Sequence, residues 1–129
     1  MLDAFDLSCF KENEFDVAVT SMAMHQFEPA LAVKVLTEMK RIAPMVIIAD
    51  YNCPMLPGIY RWLVYFIEKI AGGDHHRNFR NYMRVGGMGY FAREAGLAIT
   101  SSAIRGKGVL MMGLMRAVNT HLAFLDSKQ

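Results

Sequence analysis

Two near-continuous apolar runs of strand length, DVAVTS at residues 16–21 and MVIIAD at 45–50, flank a segment whose apolar positions recur at helical spacing. Between them Leu31, Val35, Met39 and Ile42 fall on one side of a helix while Lys34, Glu38 and Arg41 fall on another, which predicts an amphipathic element. Pro29 suits its first turn, where a missing N–H leaves nothing unpaired, and Pro44 ends it. Strands without polar alternation are those covered on both faces, so the pattern predicts buried, neighbouring parallel strands joined by a right-handed crossover.

After the loop YNCPMLPG, the segment IYRWLVYFIEKIA at 59–71 is helical in length and strongly apolar, and Gly72 and Gly73 follow where a left-handed cap is favoured. Its charges are Arg61, Glu68 and Lys69, set among Tyr60, Trp62, Tyr65 and Phe66. Packing over the sheet or against a partner is expected of it; a lid over an apolar pocket, or a surface touching lipid, is the alternative. A short polar helix begun by Asp74 as N-cap and a second, closed by Gly96, come next. Runs at 97–105 and 109–118, linked by Gly106, Lys107 and Gly108, predict an antiparallel hairpin. The fold class is therefore α/β, with one domain over 1–118 and a loosely ordered tail at 119–129.

Composition adds limits. With 129 residues and 53% hydrophobic content, one modest core is available. A net charge of +2, spread along the chain, makes no electrostatic case for nucleic acid. Cys9 and Cys53 form no CxxC pair and no disulfide framework, which fits a reduced, cytoplasmic setting. Asp3, Asp6, Lys11 and Glu12 interrupt the opening before a secretory leader develops, and no apolar run approaches the roughly 20 residues of a membrane span. Eleven methionines read as flexible core filling.

Most local motifs fail on context. Gly87, Gly89 and Ala92 spell GxGxxA, a dinucleotide fingerprint that requires a strand feeding its first glycine, and the preceding RNYMR is not strand-like. His75 and His76 are adjacent and diverge in a helix, His121 lies in the tail, and neither HExxH nor GxSxG occurs, so no metal site and no serine nucleophile is expected. What remains is positional. Ligands of open parallel sheets bind beyond the carboxyl ends of the strands, which would gather Ser21, Met22 and His25 with Asp50, Tyr51 and Asn52 in one crevice. The same pattern also suits Asp50 capping a loop and His25 packing beside a helix start.

Taken in order, DAFDLSCFKENEFDVAVTSMAMHQF, the helical LTEMKRIAP and the strand MVIIADY resemble the second half of the class I S-adenosylmethionine-dependent methyltransferases of the small-molecule type. NFRNYMRVGGMGYFAREAGL and the closing hairpin resemble that family's last helix and final antiparallel strands, so the likeness covers nearly the whole chain. It implies a partial Rossmann-like sheet flanked by helices, with S-adenosylmethionine as cofactor. Asp3 would accept the adenine amino group, Ala4 would offer its amide to the ring and Phe5 would lie beside it. Ser21 and Met22 would border the cofactor's methionine portion, and His25 would face the acceptor, orienting it or taking its proton. Asp50, Tyr51 and Asn52 would line the substrate.

The resemblance implies in-line methyl transfer to a small molecule, apolar in view of the aromatic helix. It also carries a departure. The glycine-rich turn after the family's first strand and the acid after its second have no counterpart ahead of Asp3, and the family's Pro-Gly-Gly is reduced to Pro44. The strand at 16–21 would then lack a neighbour, and bare apolar edges pair with other chains. Homo-oligomerisation, or pairing with a chain supplying the missing half, is expected. The alternative function is a catalytically inactive fragment of this fold acting as an oligomerising interaction domain.

Overall fold

The computed structural model describes residues 5–118. Strand β1 (Val17–Ser21) leads through a 3-10 turn (Met24–Gln26) into helix α1 (Pro29–Ile42), which returns to β2 (Met45–Tyr51). Helices α2 (Ile59–Ala71), α3 (Gly73–Val85) and α4 (Met88–Glu94) follow, and the hairpin of β3 (Leu97–Arg105) and β4 (Leu110–Ala117) closes the chain. The four strands form one sheet in the order β1-β2-β4-β3. β1 and β2 pair in parallel from Val17 opposite Met45 to Ser21 opposite Ala49. β4 inserts antiparallel between β2 and β3.

Helix α1 buries Ala32, Val35, Leu36, Met39 and Ile42. This is the face its sequence periodicity marks out. Ala32, Val35, Leu36 and Met39 join Val46 and Ile48 of β2, Phe79 and Tyr82 of α3, Phe91 of α4 and Met115 of β4 in a single core. Near-continuous hydrophobicity in β2 matches its burial, in which fully and partly buried positions alternate and none is exposed.

β1 departs from the buried strand expected of it. It lies at the sheet edge, with Val17 and Phe15 exposed and Val19 64% exposed. Its apolar pattern is that of a central strand, whereas among the described residues only β2 pairs with it. An apolar hollow of about 360 Å³ runs along this edge, lined by Leu7, Phe15, Val17, Val19, Phe27 and Val35 among others.

Helix α2 also differs from expectation. Its buried residue is Glu68, while Ile59, Trp62, Leu63, Phe66, Ile67 and Ile70 all face outward. The helix is therefore turned inside out relative to a sheet-packed helix, and it leans on α3 rather than on the strands. Helix α3 starts from Gly72, with no side-chain cap, and Asp74 pairs instead with Arg77 Nη2 at 2.9 Å within its first turn. Gly87 follows this helix, not a strand, so the GxGxxA string has no dinucleotide-binding context. Its role is steric: a Cβ there would meet Cys53 Cβ at 2.6 Å, so only glycine lets α4 start against the loop after β2.

Candidate functional site

The parallel pairing ends at Ser21 and Ala49; the chain after β1 then turns away, while Asp50 and Tyr51 of β2 stay paired with β4 beside it. Met22 begins this turn with φ 53° and donates its N–H to Ala49 O at 2.7 Å. A left-handed backbone is costly for a side chain such as methionine and is tolerated where the surroundings enforce it, often beside a site. The turn carries the chain into the 3-10 helix that holds His25.

His25 is 2% exposed. Its Nδ1–H donates to Asp50 Oδ1 at 2.7 Å and its backbone N–H donates to Asp50 Oδ2 at 3.3 Å. Tyr51 N–H adds a 2.8 Å bond to Asp50 Oδ1, so three donors converge on this buried carboxylate. A carboxylate facing Nδ1 places the ring proton there and leaves Nε2 as the free lone pair. The Asp50 carboxylate thus orients an imidazole across two adjacent strand ends.

Two further groups complete the cluster. Glu68 of α2 lies with Oε1 at 3.5 Å from His25 Nε2 and accepts the Tyr51 hydroxyl at 2.7 Å. His75 of α3 brings Nε2 to 2.7 Å from Glu68 Oε2. Aromatic rings enclose the imidazole, with the Tyr51 centroid at 4.6 Å and those of Phe79 and Tyr82 at 6.3 Å. Tyr82 donates to Tyr51 O at 2.9 Å. Burial pushes both phenols well above the usual tyrosine range, so each remains a neutral donor.

The comparisons with known structures turn on this frame of a parallel pair, a helical layer and an inserted antiparallel strand. The mitomycin 7-O-methyltransferase MmcR superposes with a TM-score of 0.61 at 14% identity, over 90% of this chain and 32% of that one. TnmH gives 0.63 at 16% identity, over 89% and 33%. The magnesium protoporphyrin IX methyltransferase ChlM of Synechocystis PCC 6803, solved with bound SAH, gives 0.53 at 10% identity, over 90% and 49%.

This is a partial class I methyltransferase fold. The chain spans about a third of the length of the first two of these proteins. No protein-family model matches the sequence, and no curated protein does.

Within the methyltransferase fold, the residues singled out in the sequence separate into groups. Asp3 and Ala4, like His121, lie outside the described residues. Phe5 packs edge-on against Phe27, centroids 5.5 Å apart. The segment after it is held to α1: Glu38 Oε2 accepts Leu7 N–H at 3.1 Å, and Arg41 donates to Leu7 O at 2.8 Å and Phe10 O at 2.9 Å. Arg41 also forks onto both Glu38 oxygens at 3.0 Å. This gives a physical role to the Glu38 and Arg41 of the LTEMKRIAP motif.

Ser21 is exposed at the end of β1, next to the strained Met22. His25, Asp50 and Tyr51 meet as one network. Asn52 is directed elsewhere, donating its side-chain amide to Gly108 O at 3.0 Å and its backbone N–H to Val109 O at 2.8 Å, which ties the β2 loop to the hairpin. Glu68 and His75 were missed. One signal for Glu68 was available: it is the lone acid in a strongly apolar helix whose other charges, Arg61 and Lys69, are basic.

Proposed function

We propose that the chain is the acceptor-side part of an S-adenosylmethionine-dependent methyltransferase acting on a small, apolar molecule. The observation that carries this reading is the buried His25–Asp50 pair at the carboxyl ends of the parallel strands, in a methyltransferase fold. The site fits one flank of the cofactor. Phe5 offers an aromatic ring, Ser21 is exposed, and the enforced turn at Met22 presents backbone at the strand end. Asp3 and Ala4 would complete the adenine contacts.

When bound, S-adenosylmethionine supplies an electrophilic methyl group on a sulfonium. The protein's part is then alignment and exclusion of water. Asp50 holds the His25 ring so that Nε2 can orient the acceptor or take its proton, and Tyr51 positions Glu68 beside that nitrogen. Here Asp50 acts on substrate through His25, because its own oxygens are occupied. The outward aromatic face of α2 supports an apolar acceptor.

The open β1 edge supports a second reading, an interaction domain whose activity is assembly. It also supports homo-oligomerisation, or pairing with a chain that supplies the remaining part of the sheet, in a working methyltransferase. Among the described residues no helix is long and apolar enough to cross a membrane. Free Cys9 and Cys53 support a reducing, cytoplasmic setting.

The test is transfer of labelled methyl from S-adenosylmethionine to a panel of apolar small molecules bearing oxygen, nitrogen or carbon nucleophiles. His25→Ala should slow transfer by about 100-fold or more while leaving S-adenosylhomocysteine affinity within about two-fold. An unchanged rate removes His25 from the chemistry.

A further inference from the structure

We infer that His25, Glu68 and His75 form a site for a divalent cation of the zinc class. His25, Glu68 and His75 come from three different elements, yet one ligand atom from each lies within 4.8 Å of the other two. Ligands arranged tetrahedrally at 2.0–2.1 Å from zinc stand about 3.3 Å apart. The separations here are comparable, 3.5 Å from His25 Nε2 to Glu68 Oε1 and 2.7 Å from His75 Nε2 to Glu68 Oε2, so each imidazole faces one oxygen of the carboxylate at about the spacing of ligands that share an ion.

Glu68 supplies a second, independent observation. It is 4% exposed, and its Oε2, which accepts no hydrogen bond, lies 2.7 Å from His75 Nε2. A buried carboxylate is costly unless positive charge sits beside it, which an ion held jointly with the two imidazoles supplies. On the outer side of the cluster, Asp50 holds His25 Nδ1 and Tyr51 donates to Glu68 Oε1. Ligating histidines characteristically have such a carboxylate behind them, which fixes the ring and raises its basicity. Two imidazoles with one carboxylate select zinc, cobalt or nickel over magnesium and calcium, which prefer all-oxygen sites.

The adjacency of His75 and His76, which argued against a shared ion, is irrelevant to this site, since only His75 joins it and its partners come from elsewhere in the chain. The site sits on the acceptor side of the proposed methyl-transfer centre but goes beyond that reading. An ion on Nε2 and a proton taken by Nε2 exclude each other, so occupancy would switch His25 from proton acceptor to ligand.

Zinc titrated into the full chain against a chromogenic chelator, and cobalt followed by its visible absorption, test the inference. One ion per chain is expected. Glu68→Gln and His75→Ala should each remove measurable binding, Asp50→Asn should weaken it by about 10–100-fold, and His76→Ala should leave it unchanged. Should the variants fail to fold, X-ray absorption of the zinc-loaded, unmutated protein decides: two imidazoles and a carboxylate support the site, and fewer than two imidazoles overturn it. Absence of binding, or binding that survives both Glu68→Gln and His75→Ala, also overturns it. Failure here leaves methyl transfer untouched, and failure of methyl transfer leaves the ion titration untouched.

Discussion

His25 Nδ1 and Asp50 Oδ1, from residues 25 apart in sequence, stand 2.7 Å apart and join the ends of two parallel strands. The bond does more than bury two polar groups. It sets which imidazole nitrogen carries the proton and which faces Glu68 and the enclosing aromatic rings.

Replacing Asp50 by asparagine keeps the shape and removes the charge. Nitrogen-15 NMR of His25 should then change from a single tautomer protonated on Nδ1 to a mixture, with a loss of stability of about 1–3 kcal/mol from the weakened buried network. An unchanged tautomer would mean that Asp50 does not orient the ring.

The Glu38–Arg41 fork anchors the segment from Leu7 to Phe10, which continues from Phe5. Bonding to the Arg41 guanidinium, more than the Leu7 amide, holds the Glu38 carboxyl below its ordinary value of 4.5. A carboxyl lowered by folding contributes stability that is fully present above that ordinary value and is lost as pH falls through the folded one. Arg41→Ala should therefore speed amide exchange at Leu7 and lower stability at neutral pH, modestly because the pair is partly screened by solvent. The difference between variant and parent in chemical denaturation should shrink below pH 4.5.

Helix α1, strand β2 and the hairpin were legible in the sequence because each obeys one rule: a face at helical spacing, an unbroken apolar run, a glycine link between β-rich runs. Two elements were not. The apolar run of β1 states that its edge should be covered, and a sequence cannot show where the covering chain resides. The apolar residues of α2 state that it buries a face, whereas its buried face is set by Glu68 meeting Tyr51 and His75, contacts made between separate elements. At the site, His25 was readable from its place after β1 and Asp50 from its place at the carboxyl end of β2. The direction taken by Asn52 was not, because it depends on the hairpin turn folding back to Gly108.

Burial pushes the Cys53 thiol up, and it donates to Met83 O at 3.1 Å, while Cys9 is exposed. Alkylation at neutral pH should modify Cys9 first, with Cys53 slower by about ten-fold or more until denaturant is added. Mass spectrometry of the labelled peptides checks the order; equal rates would mean that the loop after β2 opens freely.

Val19 projects from the open edge of β1 and is 64% exposed. Sedimentation at micromolar concentration should show species larger than a monomer, and Val19→Lys should shift them toward monomer with a stability change within about 0.5 kcal/mol. A strictly monomeric parent would contradict the pairing role of this edge.

Calorimetric titration of S-adenosylmethionine into the 129-residue chain is the most direct test of the methyl-transfer reading. That reading predicts saturable, one-to-one heat, retained in His25→Ala because His25 faces the acceptor. A flat titration would contradict it and leave the interaction domain as the function of this fold.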